Sequence, residues 1–192
     1  MTEAMIDLEL LQITELLLTA SPEPLTPAKF NQVMDGRGGD LETIITQLND
    51  RFEQQARPVE IVHVAGGYQL VSRPEHRHYL QKLHQKSGRL ALSRAALETI
   101  AVVAYKQPIT RGDIEQIRGV SSGSVLRTLL ERGLVTVKGR DEGPGRPLLY
   151  GTTSAFLQAF GLAGLRDLPK LREINEIMGE GEAPEAVADA AE

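Results

Sequence analysis

A chain of 192 residues, 41% hydrophobic and 24% charged, is one ordinary domain or two small ones with the composition of a soluble globular protein. It holds no cysteine, which excludes disulfides, cysteine-held zinc, iron–sulfur clusters and a thiol nucleophile. The net charge of -5 hides a segregated pattern: residues 1–56 and 179–192 are acidic, residues 57–152 are basic, and residues 153–178 balance.

In chain order, the first element is a helix with a stripe at Ile6, Leu10, Ile13 and Leu17. Ser21-Pro22-Glu23-Pro24 stops it, because prolines cannot continue a helix. Thr26 is placed to cap a short second helix with Pro27 at its first position and Phe30, Val33 and Met34 on its apolar side. After the turn Gly36-Arg37-Gly38-Gly39, Asp40 caps a third helix with Leu41, Ile44, Ile45, Leu48 and Phe52 on one face. Val59–Val64 and Tyr68–Val71 flank Gly66-Gly67 and predict a β-hairpin. Residues 74–90 form a basic amphipathic connector, in which Tyr79, Leu80 and Leu83 predict a helix closing a first domain, with a boundary at Ser87-Gly88.

The second half repeats the first. Ser93 caps a helix with Leu97, Ile100, Ala101 and Ala104 on one face, and Gln107-Pro108 ends it. Thr110 caps a short helix carrying Ile114 and Ile117 and ended by Gly119. Ser121 or Ser122 opens a third helix with Val125, Leu126, Leu129 and Leu130, which Gly133 stops. Two strands, Leu134–Val137 and Leu148–Tyr150, flank a loop over Gly139–Pro147. The punctuation matches: Glu23-Pro24-Leu25-Thr26 stands where Gln107-Pro108-Ile109-Thr110 stands. Three helices and a hairpin, twice, predict a mainly α chain with small β-hairpins (α+β) built as two tandem winged-helix domains. The expected division is an N-terminal dimerisation domain over 1–86, a second domain over 87–170 and an acidic extension over 171–192, disordered from about residue 179.

Chemistry finds little support. The start MTEAMIDLEL lacks the basic stretch of a secretory signal, and no apolar run approaches the ~20 residues that span a bilayer, so cytoplasmic residence is expected and no membrane partner. The four histidines, His63, His76, His78 and His84, have no acid at ligand spacing, so no metal and no cofactor is expected. The glycines of Glu142–Arg146 lie between strands, whereas a phosphate cradle needs a helix start after the loop. No catalytic motif or small-molecule substrate site is read, and the chain is expected not to be an enzyme.

Surfaces remain. Arg127, Arg140 and Arg146, on the third helix and wing of the second half, are candidate contacts for a protein partner or for DNA phosphates. Residues 121–126, Ser-Ser-Gly-Ser-Val-Leu, offer no side chain suited to base edges, which disfavours a sequence-reading winged-helix transcription regulator and leaves non-specific phosphate contact open. Leu92, Ala96, Val102, Val103 and Tyr105 add apolar character beyond the stripe of the helix at 93–105, and Leu8, Leu11, Leu16 and Leu18 do so on the first helix. Leu8, Leu11, Val102 and Tyr105 are the candidate interface residues.

Ordered stretches carry a resemblance: Leu92–Ala101, Tyr105–Arg111, Ile117–Val120, Thr128–Leu134, Pro144–Thr153, Phe160-Gly161-Leu162 and Asp167-Leu168-Pro169. Over about residues 92–170 the chain resembles the bacterial segregation and condensation protein B (ScpB) family, accessory subunit of the SMC–kleisin condensin. The first half resembles it more loosely, through Ser21–Leu25 and Gly66-Gly67-Tyr68. The resemblance implies two winged-helix domains and a homodimer formed mainly through the N-terminal ones. It also implies binding to the kleisin subunit ScpA and, through it, to the SMC ATPase, with no catalysis by this chain. The expected process is chromosome condensation and segregation in cell division, at the nucleoid.

Overall fold

The computed structural model describes residues 8–84 and 92–169. Three helices come first: α1 (Leu8–Ala20), α2 (Pro27–Val33) and α3 (Leu41–Gln54). Thr26 caps α2 and Asp40 caps α3, each accepting a backbone N–H from the residue three positions on. Strands β1 (Val59–Val64) and β2 (Gly67–Ser72) then pair antiparallel from Val59–Ser72 to Val64–Gly67. The turn between them holds just Ala65 and Gly66, both at positive φ (49° and 74°), the type I′ geometry that matches strand twist. A 3-10 turn (Pro74–His76) leads into α4 (Arg77–His84).

The second half runs α5 (Arg94–Lys106), β3 (Ile109–Thr110), α6 (Arg111–Arg118), α7 (Gly123–Glu131), β4 (Val135–Arg140), β5 (Leu148–Thr152) and α8 (Ser154–Phe160), closing in a 3-10 turn (Leu165–Asp167). Ser93, Thr110 and Thr153 cap α5, α6 and α8, and Thr110 forms a reciprocal capping box with Asp113. The sheet order is β3-β5-β4, all antiparallel, with a bulge between Val137 and Gly139.

Apolar residues separate into two clusters. The first joins Leu11 and Leu18 of α1, Leu25, Phe30, the α3 stripe and Ile61. The second joins Ile100 and Val103 of α5, Ile109, Ile114, Leu126 and Leu129 of α7, Val135 and Phe156 of α8. Burial of this kind contributes about 25 cal/mol per Å² of apolar surface removed from water.

Several expectations are corrected. On α1 the buried residues are Leu11, Thr14 and Leu18, while Leu10, Ile13 and Leu17 are half-buried beside them. Thr14 can go inside because its hydroxyl donates to the Leu10 carbonyl at 2.8 Å, leaving no unmet polar group. Leu97 and Ile117 were expected on core faces and are exposed; on α5 the inward face is Ala96, Thr99, Ile100, Val103 and Ala104, so Ala96 and Val103 are core and not surplus. Helix α4 exists, but Tyr79 and Leu83 stay largely exposed and close no core among the described residues. Strand β4 runs to Arg140, shortening the wing loop. Strand β3 and helix α8 were not anticipated. Ile6, the Ser87-Gly88 boundary and the acidic tail lie outside the described residues.

Candidate interaction surfaces

The connection between α6 and α7 is fixed by charge. The Arg118 side chain is only 6% exposed; its Nη2 donates to Glu98 Oε2 on α5 at 3.1 Å and its Nη1 to Ser122 Oγ at 3.1 Å. Glu98 also accepts from Arg94 Nε at 3.1 Å. Glu115 Oε1 takes the Ser122 backbone N–H at 2.8 Å, Arg111 Nε at 2.8 Å and the Ser121 hydroxyl at 3.3 Å. Hydrogen bonds from Arg118, then Arg94, hold the Glu98 carboxyl below the usual carboxylate range, and those from the Ser122 amide, then Arg111, do the same for Glu115. The helix pair is thus tied at its turn by side chains on three segments.

The predicted basic contacts are less free than their sequence suggests. Arg127 Nε pairs with Glu131 Oε1 one helical turn on at 2.9 Å. Arg140 Nη1 donates to the Arg146 carbonyl across the wing at 3.1 Å, which stiffens the loop, while both side chains stay exposed. Arg127 lies on α7 and the other two on the wing.

The candidate apolar residues divide. Leu8 is 55% exposed, and Leu16, one further turn pair along α1, is exposed as well. Leu11 is 1% exposed and belongs to the first core, because it lies with Thr14 and Leu18 on the buried face of α1; it is corrected from interface to core. Val102 is half-buried against the second core. Tyr105 is half-buried and its hydroxyl donates to the Pro169 carbonyl at 2.6 Å. Tyr105 lines an apolar groove of about 280 Å³ between α5 and the segment after α8, together with Leu97, Ala101, Phe160, Leu162 and Leu168. Leu97 and Phe160 are 45% and 43% exposed at its mouth. A second groove, of about 600 Å³, runs beside α1 between Leu10, Ile13, Val33 and Met34. The sequence reading missed the α5–α8 groove, although Thr153 followed by apolar Phe156, Leu157 and Phe160 and then Gly161 is a complete helix signal.

His63 stacks on Tyr68 and His78 on Tyr79, with ring centroids 5.0 Å and 3.8 Å apart. Among the described residues no three His, Asp or Glu side chains gather as metal ligands, and no helix there is long and apolar enough to cross a membrane.

The family model of the segregation and condensation complex subunit ScpB matches residues 12–171. Segregation and condensation protein B of Syntrophotalea carbinolica is 43% identical over 175 residues, covering 91% of this chain and 88% of that protein. The protein of the same name from Symbiobacterium thermophilum is 49% identical over 157 residues, covering 82% and 71%. Among solved structures, ScpB from Mycobacterium tuberculosis is 32% identical, covering 83% of this chain and 99% of that one, with a TM-score of 0.38. At that score the kinship rests on sequence, not on superposed backbones.

Proposed function

Because this chain belongs to the ScpB family of segregation and condensation complex subunits, we propose that it is a non-catalytic adapter of an SMC–kleisin condensin. It works as a homodimer that binds the kleisin ScpA and, through it, the SMC ATPase. The process served is chromosome condensation and segregation during cell division, in the cytoplasm at the nucleoid. The observation that carries this reading is the family match, which spans both halves of the chain from residue 12 to residue 171.

The geometry supports it in three ways. Each half arranges three helices ahead of an antiparallel hairpin, the order of a winged helix, which gives two such domains in tandem. The first half carries Leu16 exposed on α1 with half-buried Ile13 one turn before it, apolar surface that a second copy could cover in a two-fold dimer. The second half offers the groove at Leu97 and Phe160, lined by apolar side chains, as a seat for apolar side chains of a kleisin segment. Contact with DNA is secondary in this scheme and non-specific, through Arg140 and Arg146 on the wing, since Arg127 is engaged with Glu131.

Light scattering of the purified chain, alone and mixed with the kleisin from the same genome, tests the reading. A dimer that moves into a larger complex of defined mass is the expected result. A dimer that ignores the kleisin but binds a duplex with sequence preference would overturn it.

A further inference from the structure

The type I′ turn at Ala65-Gly66 leaves two backbone N–H groups outside the β1–β2 ladder, pointing away from the hairpin. Both are used. The Ala65 N–H donates to the Leu162 carbonyl and the Gly66 N–H to the Ala163 carbonyl, each at 2.9 Å. Two consecutive donors at the tip of the first hairpin thus meet two consecutive acceptors beyond α8, almost a hundred residues on.

Both sides are held in shape before they meet. At the hairpin, Val64 is buried and the Tyr68 backbone exchanges hydrogen bonds with Leu25 at 2.8 and 3.0 Å. At the receiving side, Gly161 ends α8 in the left-handed conformation, the Leu162 N–H donates to the Leu157 carbonyl at 2.9 Å, and the Leu162 side chain packs against the second core. The Gly164 N–H donates to Asp167 Oδ2 at 2.7 Å, which fixes the far end of the segment. Neither partner has to order itself to form the contact, so little entropy opposes it. The acceptor segment also lines the α5–α8 groove through Leu162.

We infer that the tip of the first hairpin and residues 162–163 form an intramolecular clasp that fixes the angle between the two halves of the chain. The clasp joins them at a point separate from their covalent connection through residues 85–91. It is made only of backbone groups, so it is insensitive to the side chains at the tip, and with just two bonds it can open when a partner takes the acceptor segment.

Amide hydrogen exchange followed by NMR on the full chain tests this. The Ala65 and Gly66 amides, at a hairpin tip where exchange is ordinarily fast, are expected to exchange about tenfold or more slowly than in a Leu162→Asp variant. The Tyr68 amide, bonded to Leu25 within the first half, is expected to exchange at the same rate in both and so reports that the hairpin is intact. A nitroxide on Ala159→Cys, the sole thiol in a chain without cysteine, supplies the second measurement. It should broaden the Ala65 and Gly66 amides of the chain that carries it. It should not broaden those of an isotope-labelled chain lacking the nitroxide in a mixed sample. Fast exchange at both tip amides would overturn the clasp, as would broadening confined to the mixed sample.

Discussion

Glu98 and Arg118, one full helix and a strand apart in sequence, meet through Oε2 and Nη2 at 3.1 Å, with the carboxylate half in solvent and the guanidinium almost wholly out of it. The asymmetry matters. A half-exposed acid loses little hydration on pairing, whereas a buried guanidinium without partners would cost much more. Arg118 is accordingly the member of the network whose geometry is set by the fold, and its Nε is the one buried side-chain polar atom without a partner among the described residues.

Arg118→Ala should therefore destabilise the second half by about 2 kcal/mol, the scale of losing hydrogen bonds to a charged group. Glu98→Gln, which keeps a hydrogen-bonding oxygen at a half-exposed site, should cost less. Urea unfolding monitored by circular dichroism checks both, as a lower midpoint with an unchanged slope.

The same network sets a pH dependence. Glu98 and Glu115 have carboxyl pKa values lowered by folding, chiefly through Arg118 and the Ser122 amide respectively. A lowered folded-state pKa means a contribution fully present above the ordinary carboxylate value of 4.5 and lost as pH falls through the folded value. The melting temperature should thus fall with acidification below about pH 5. In the Glu98→Gln/Glu115→Gln double variant that fall should be shallower.

The first half has its own sensitive point at Gly67. A Cβ there would stand 2.9 Å from the Leu25 carbonyl carbon and 3.0 Å from the Thr26 nitrogen, both backbone atoms that cannot swing aside. Gly67→Ala should cost about 1–3 kcal/mol, in the range of overpacked sites. It should also loosen the Leu25–Tyr68 pairing, visible as faster exchange of the Leu25 and Tyr68 amides.

The groove between α5 and α8 can be probed with little risk to the fold, since Leu97 and Phe160 are both far from fully buried. Leu97→Asp combined with Phe160→Asp is expected to weaken binding of the cognate kleisin about tenfold or more, as loss of an apolar anchor does. The dimer mass and the thermal midpoint should change little. Calorimetric titration reads the first and light scattering with a thermal melt the second.

Much of this was legible in the sequence because local signals and the fold agree. Thr26, Asp40, Ser93 and Thr110 cap where their side-chain chemistry says they should; the hairpin forms as expected, but its turn is one residue earlier than the Gly66-Gly67 pair indicates, at Ala65-Gly66, with Gly67 the first residue of β2. The strip on α1 was misread because it is leucine-rich almost all round, so periodicity could not choose among faces, and the buried centre is a threonine whose hydroxyl bonds backward. Leu97 and Ile117 followed the helical period yet lie outside, because Ile100 and Ile114 already fill the core beneath their helices. Strand β3 was invisible because two residues make no pattern. Arg127, Arg140 and Arg146 were legible as a set, but that Glu131 engages Arg127 depended on side-chain geometry, and buried Arg118 was not among them.

The pairing of Leu25 with Tyr68 has a counterpart in Ile109 with Tyr150. In each half, the apolar residue between a proline and a capping threonine lies against a tyrosine on the second strand of the hairpin. One structural joint is thus written twice with different letters, and in each half it seats the hairpin against the chain just ahead of the second helix. The two joints differ in extent: the second is the edge of a three-stranded sheet, while the first is a single bridge, and it is the hairpin beside that single bridge whose tip reaches across to the other half.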